Sequence, residues 1–295
     1  MDRIMRKKVS CHIITYNQKN FISQCIDGVL MQQTNFPFEL IIGDDNSTDG
    51  TREILIEYQK KHPELITLNL RTVRGNGIPG KENFVSTLKK CHGEYISFCD
   101  GDDYWTDPLK LQKQVDFLEN SPDYVLCFHP IKILNSDGNI VEDFITKVPE
   151  SHETIEDLAR FGNYIHTPTV VFRNLIRFLP YEFQLSPIGD YFIYMILVEH
   201  GKLKYMQDTM AVYRHGVGIL SGNDNVLKLK KWIECLILIF SNCKNEEIKS
   251  ILYERYQNGI DAIYRLTLKK DKESYYAVFK KKLMSLKNKI YKKNQ

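Results

Sequence analysis

No apolar run in this sequence is long enough to cross a bilayer. Runs such as Leu236 to Phe240 fall far short of the roughly 20 residues a spanning helix needs. The basic start MDRIMRKKVS is followed only by Val9 to Ile14 before polar residues resume, which is too short for a secretory apolar core. Seven cysteines contain no C-x-x-C pair, and their odd number and irregular spacing exclude a disulfide framework. That cysteine usage fits a reducing compartment, so the expected location is cytoplasmic, soluble or peripheral. Internal repeats and low-complexity linkers are also missing. What remains is one large α/β domain, alone or with a helical appendage.

The charge is unevenly placed. The chain carries +3 overall, but Lys269 to Gln295 hold ten lysines against Asp271 and Glu273, a balance of +8 that leaves −5 for the rest. A mildly acidic body argues against nucleic acid as a partner. In the tail, Tyr276, Phe279, Leu283, Leu286 and Ile290 recur at helical spacing among the lysines. Such a helix can pack on its own domain, pair with a second copy in a homo-oligomer, or lie on an anionic membrane surface.

From Val9 onward, strand-like and helix-like stretches alternate. Val9 to Ile14, Phe38 to Ile42, Leu65 to Val73 and Tyr95 to Cys99 read as strands. Helical spacing from Phe21 to Leu30, around Ile54 to Tyr58 and from Glu82 to Lys90 separates them. This order predicts a mostly parallel sheet with helices on its faces. Further on, a helix follows Asp107-Pro108, Tyr124 to Leu134 reads as one strand, and Asn135 to Asn139 as a hairpin turn. Thr154 to Phe161 reads as a helix, Thr167 to Arg173 as a strand and Tyr191 to His200 as a helix packed on the sheet. Beyond Gly222 the pattern is helical, which divides the chain into 1–221 and 222–295.

Chemistry gathers at the strand ends. Asp100, Asp102 and Asp103 follow the strand that ends at Cys99. Carboxylates this close are costly to desolvate without a counter-charge, and all-oxygen ligands suit Mg²⁺ or Mn²⁺. A second acidic turn, Asp44 to Gly50, fails as a calcium loop because Ile56 stands at its twelfth position. Asp45 there can accept from a nucleobase imide or a ribose hydroxyl, while Ser47 and Asp49 are placed to cap a helix. Gly75 to Glu82 matches two phosphate-loop patterns but lies after the third strand, with Glu82 where a metal-binding hydroxyl belongs. It reads as a surface loop from which Lys81 or Asn83 reaches a ligand. Asp190 is either a helix cap or a general base. Arg214 and His215, before Gly216, suit contact with phosphate or a metal.

Taken together, these motifs resemble the family 2 glycosyltransferases of GT-A fold, over about Val9 to Leu220. Thr15-Tyr16-Asn17 resembles the end of that family's first strand, and Asp44-Asp45-Asn46-Ser47 its base-binding turn. Asp100-Gly101-Asp102-Asp103 resembles its D-x-D motif, and Val212-Tyr213-Arg214-His215 the strand and loop over the diphosphate. Ile14 departs from the proline many members carry. The resemblance implies metal-dependent, inverting transfer of a sugar from a nucleotide-diphosphate donor, a UDP-sugar, to a saccharide or lipid-linked saccharide acceptor. It places the nucleotide on Thr15, Tyr16, Asn17, Asp45, Asn83, Asp100, Gly101 and Arg214, the metal on Asp102 and His215, and the base at Asp190. A nucleotidyltransferase and a non-catalytic nucleotide-sugar-binding protein are the alternatives.

Overall fold

The computed structural model describes residues 7–218, 224–268 and 279–284. They cluster into two compact units, Met1–Phe178 with Ile196–Gly222, and Leu179–Met195 with Asn223–Gln295. Residues 179–195 thus group with the C-terminal helices, where the sequence suggested a single cut after residue 221.

The first unit opens with the expected alternation: β1 (Val9–Thr15), α1 (Ile22–Leu30), β2 (Phe38–Asp44), α2 (Thr51–Lys61), β3 (Ile66–Leu70), α3 (Lys81–Leu88) and β4 (Tyr95–Asp100). It continues through β5 (Tyr104–Trp105), α4 (Lys110–Asn120), β6 (Tyr124–Phe128), β7 (Lys132–Leu134), β8 (Ile140–Glu142), α5 (Ile155–Phe161) and β9 (Val171–Arg173). After α6 (Tyr181–Leu185) and α7 (Gly189–Val198), β10 (Lys202–Tyr205) and β11 (Ala211–Arg214) complete its strands.

Seven strands form the main sheet in the order β10-β6-β9-β4-β1-β2-β3. All neighbours are parallel except β9, which runs antiparallel to both β4 and β6. The central strands β1, β2 and β4 are buried along nearly their whole length, Ser10, His12 and Ser97 included, as strands of a sheet covered on both faces are. A second sheet, β5-β11-β7-β8, carries the segment after the D-x-D turn. Gly28 of α1 is required here: a Cβ would stand 2.9 Å from the backbone N and O of Trp105, so only glycine lets α1 lie on β5.

Two readings change in the structure. The stretch from Tyr124 to Leu134 is two strands in two sheets, because Pro130 offers no N–H to continue the ladder. Of the expected strand from Thr167 to Arg173, only Val171–Arg173 is extended. Thr167–Thr169 form a 3₁₀ turn started by Pro168. The hairpin at Asn135–Asn139 forms as expected, with Gly138 at φ 85°.

In the second unit, α8 (Asn225–Asn242) and α9 (Glu246–Leu268) pack on each other. Here α7 sets Tyr191 against Trp232 and Phe192 against Phe183, aromatic packing within this unit instead of a purely sheet-facing role. Phe279 and Leu283 of the lysine-rich tail are buried with Ile233 and Ile263. At these two positions the tail packs on its own unit. Tyr276, Leu286 and Ile290 lie outside the described residues.

Candidate functional site

The parallel strands β2, β1 and β4 end side by side, with Thr15 opposite Asp44 and Ile14 opposite Asp100. The chain leaves each strand in a turn anchored to β1. Asp45 N donates to Thr15 O at 3.1 Å, and Gly101 N donates to Ile14 O at 2.9 Å. The two acidic turns therefore bracket the C-terminal end of β1, the edge at which open α/β sheets bind ligands.

The β1 and β2 turns are stitched together. Asn17, at φ 52°, donates its N–H to Ser47 Oγ at 2.9 Å, and its Oδ1 accepts from Thr48 N at 2.9 Å. Lys19 N donates to Asp49 Oδ2 at 3.0 Å. Ser47 and Asp49 thus hold the neighbouring turn, and α2 begins at Gly50 without a side-chain cap, contrary to the simple capping role. Asp49 does accept from Thr51 N at 3.0 Å.

Asp44 and Asp45 separate into different tasks. Asp44 is wholly buried and held by Arg52 through Nε at 2.8 Å and Nη2 at 2.6 Å, a structural ion pair. Asp45 faces the loop before α3, where Arg71 Nε lies 3.0 Å from Oδ1 and Arg74 Nε lies 4.0 Å from Oδ2. The Arg71 N–H points off the oxygen, so buried Asp45 Oδ1 lacks an aligned donor. The Arg74 guanidinium also lies 3.7 Å from the centre of the Tyr16 ring. Tyr16, Asp45 and Arg74 form one aromatic, anionic and cationic group.

On the other side of β1, Thr15 Oγ1 donates to Gln18 Oε1 at 2.7 Å. A Cβ on Gly101 would stand 2.5 Å from that oxygen, so the D-x-D turn lies directly on the β1 loop. Burial pushes the Asp102 carboxyl up, opposed by its own backbone N–H, by Arg214 and by Gln18. Asp103 is pushed well above the carboxylate range, by burial first and then by Asp102, Cys99 and Asp100. Its Oδ1 accepts from Arg214 N at 2.8 Å, while its buried Oδ2 has no hydrogen-bond partner. The Arg214 guanidinium lies over Phe21 and Tyr104, 4.9 and 5.0 Å from the ring centres, and donates to Gln24. His215 follows, its N–H bonded to Leu134 O at 2.9 Å and its ring 5.3 Å from that of Phe144.

Among the described residues, no group of three or more His, Cys, Asp or Glu side chains forms a complete metal site. The donor chemistry nevertheless fits a divalent ion whose remaining ligands come from a diphosphate. Asp102 is a desolvated carboxylate beside Asp103 Oδ2, which lacks a donor, and magnesium sites commonly combine one or two carboxylates with substrate phosphates.

Thr15, Tyr16, Asn17, Asp45, Asp100, Gly101, Asp102 and Arg214 therefore share one rim. Asn83 does not join them: its Nδ2 donates to Gly43 O at 2.9 Å and its Oδ1 accepts from Thr87 at 3.4 Å, which uses both ends between α3 and β2. Asp190 stands half-buried in the first turn of α7 and groups with the second unit. Sequence reasoning missed Gln18, Arg71 and Arg74, and placed Asp103 in the acidic turn without giving it a role. The only signal for the two arginines was positive charge in the loop after β3, opposite an acidic turn.

The glycosyl transferase family 2 model matches residues 10–179. An uncharacterized protein of Mycobacterium tuberculosis is 38% identical over 207 residues, which is 70% of this chain and 58% of that one. The chain thus spans less than two thirds of that relative. A putative teichuronic acid biosynthesis glycosyltransferase of Bacillus subtilis, TuaG, is 32% identical over 137 residues, 46% of this chain and 51% of that protein. Among solved structures, Staphylococcus aureus TarS 1–349 in complex with UDP-GlcNAc aligns with a TM-score of 0.62 at 22% identity, covering 85% of this chain and 72% of that one. At that identity the likeness shows the fold, the GT-A arrangement expected from the motifs.

Proposed function

The chain belongs to glycosyl transferase family 2, and from that premise we propose that it moves a sugar from a nucleotide-diphosphate donor to an acceptor hydroxyl, with inversion at the anomeric carbon. The observation that carries the reading is the bracketing of β1 by Asp45 on one side and the Gly101-Asp102 turn on the other. The span between them suits a nucleoside at one end and a diphosphate at the other.

A planar base fits the same pair of groups that the Arg74 guanidinium now satisfies, an aromatic face on Tyr16 and the carboxylate of Asp45. Thr15 and Asn17 shape the floor, and Asp100 accepts from ribose hydroxyls. Asp102 and His215 would hold Mn²⁺ or Mg²⁺, which as a Lewis acid neutralises charge on the leaving diphosphate. Arg214 adds a fixed positive charge there. Asp190 takes the acceptor proton as general base. The TarS complex supports a UDP-sugar as donor. The name of the TuaG relative supports a role in polysaccharide synthesis. A saccharide or lipid-linked saccharide is then the acceptor, and the cytoplasmic face of the membrane the place of action. No described helix is long and apolar enough to cross a membrane.

The test is a product assay on the full chain with a panel of UDP-sugars, including UDP-GlcNAc, and Mn²⁺. Release of UDP is expected, and Asp102→Asn and Asp190→Asn each lower it by roughly 10² or more. Pyrophosphate release would instead identify a nucleotidyltransferase, and binding without turnover a non-catalytic nucleotide-sugar-binding protein. Wild-type turnover in Asp190→Asn removes that residue from the reaction.

A further inference from the structure

We propose that Phe144 is the platform on which a sugar ring of the acceptor stacks, an inference that rests on the transfer reaction above. Phe144 is 59% exposed, and Ile140 and Ile145, near it in the chain, are exposed as well. An exposed aromatic ring is ordinary when it is isolated and loosely held. This one is neither.

Its backbone is fixed by Asp143, whose carboxylate accepts from Ile145 N at 2.8 Å, Thr146 N at 3.1 Å and Thr146 Oγ1 at 2.6 Å. His166 Nε2 adds a contact to the same carboxylate at 3.0 Å. The ring then meets His215 nearly edge to face, at 78° between planes and 5.3 Å between centres. From His215 the chain of contacts runs through Arg214 N to Asp103 and the D-x-D turn. The platform is therefore tied to the diphosphate end of the site, where an acceptor hydroxyl must arrive.

The surroundings choose the class of occupant. Within two residues of Phe144 stand the Lys132–Glu142 ion pair and the Asp143 carboxylate with its His166 contact. A hydrocarbon chain laid here would strip water from those charges without replacing its hydrogen bonds, which is costly. A pyranose does both jobs: its C–H face covers the ring, and its hydroxyls bond the charged rim. A lipid tail is the rival occupant and an outcome of the test.

The experiment uses the full chain with Mn²⁺, UDP-GlcNAc and the rest of the UDP-sugar panel as donors. Acceptor probes are p-nitrophenyl glycopyranosides, beside n-octanol as an apolar hydroxyl. Phe144→Ala is expected to raise the glycoside KM at least fivefold and the donor KM less than twofold, with Phe144→Tyr restoring the wild-type value. In parallel, saturation-transfer NMR in the presence of UDP and Mn²⁺ should show sugar ring protons saturated by wild type and Phe144→Tyr but not by Phe144→Ala. Equal glycoside KM or equal saturation in wild type and Phe144→Ala overturns the proposal. So does an absence of saturation for every glycoside with the wild type, or a loss confined to octanol. Failure of the transfer reading is a separate result, because wild type would then release UDP from no donor, whether or not it binds UDP in a thermal-shift assay.

Discussion

Lys110 places its ammonium 2.8 Å from Gln114 Oε1 and 4.1 Å from the centre of the Trp105 ring, with no solvent exposure. An amide oxygen and an aromatic face compensate a buried cation only in part, and burial lowers its pKa from 10.5 to about 8. Between those two values the unfolded lysine keeps its proton while the folded one has released it. Stability therefore rises with pH across that window, and below it the full cost of the buried charge is present and does not vary with pH. The size of the effect is about 3 kcal/mol. Cys11 and Cys127, both pushed up to about 12 by burial, act in the opposite sense above pH 9, so the comparison must be with a variant. Urea unfolding from pH 7 to 10.5 should show wild type gaining about 3 kcal/mol relative to Lys110→Met. Parallel curves for the two proteins would show that Lys110 does not titrate early.

The packing of α1 on β5 is what fixes the D-x-D turn, and Gly28 is its closest approach. In Gly28→Ala the new Cβ meets the backbone of Trp105, with no flexible side chain able to yield, so α1 must withdraw. The expected cost is about 1–3 kcal/mol in urea unfolding, with weaker UDP binding in the presence of Mn²⁺. Gly77→Ala, where a Cβ would meet nothing within 4 Å, serves as the neutral control. A neutral Gly28→Ala would show that the contact is slack. At this scale the sequence was legible wherever order along the chain decides structure. Val9–Thr15, Phe38–Asp44 and Tyr95–Asp100 are apolar runs that end in polar turns, and their alternation with helices gave the parallel sheet and its acidic rim. The insertion of antiparallel β9 between β4 and β6 was not legible, since partners 76 residues apart, such as Phe172 and Ile96, leave no local pattern. Nor was the division of labour at Asp44 and Asp45, which two arginines from different elements decide.

Over the whole molecule, the tail shows why an amphipathic pattern alone does not choose its partner. The same spacing serves a protein core or a membrane surface, and only the presence of a complementary apolar face distinguishes them. Phe279 and Leu283 find that face on Ile233 and Ile263, while Lys280, Lys281 and Lys282 point outward. These two apolar side chains, 6% and 2% exposed, are therefore part of the second unit's core and are withdrawn from any bilayer. Truncating either to alanine removes buried carbon and leaves a cavity, at about 2–5 kcal/mol each. The two sites share the Ile233 and Ile263 neighbours, so the double variant should depart from additivity. Met284, 51% exposed beside them, should tolerate alanine with little effect. Chemical unfolding monitored by tryptophan fluorescence in a Trp105→Phe background, which leaves Trp232 with its ring 4.8 Å from Tyr191 in the same unit, reports on these losses. If Phe279→Ala and Leu283→Ala unfold like wild type but lose affinity for phosphatidylglycerol vesicles, the apolar face belongs to the membrane and the packing described for it is wrong.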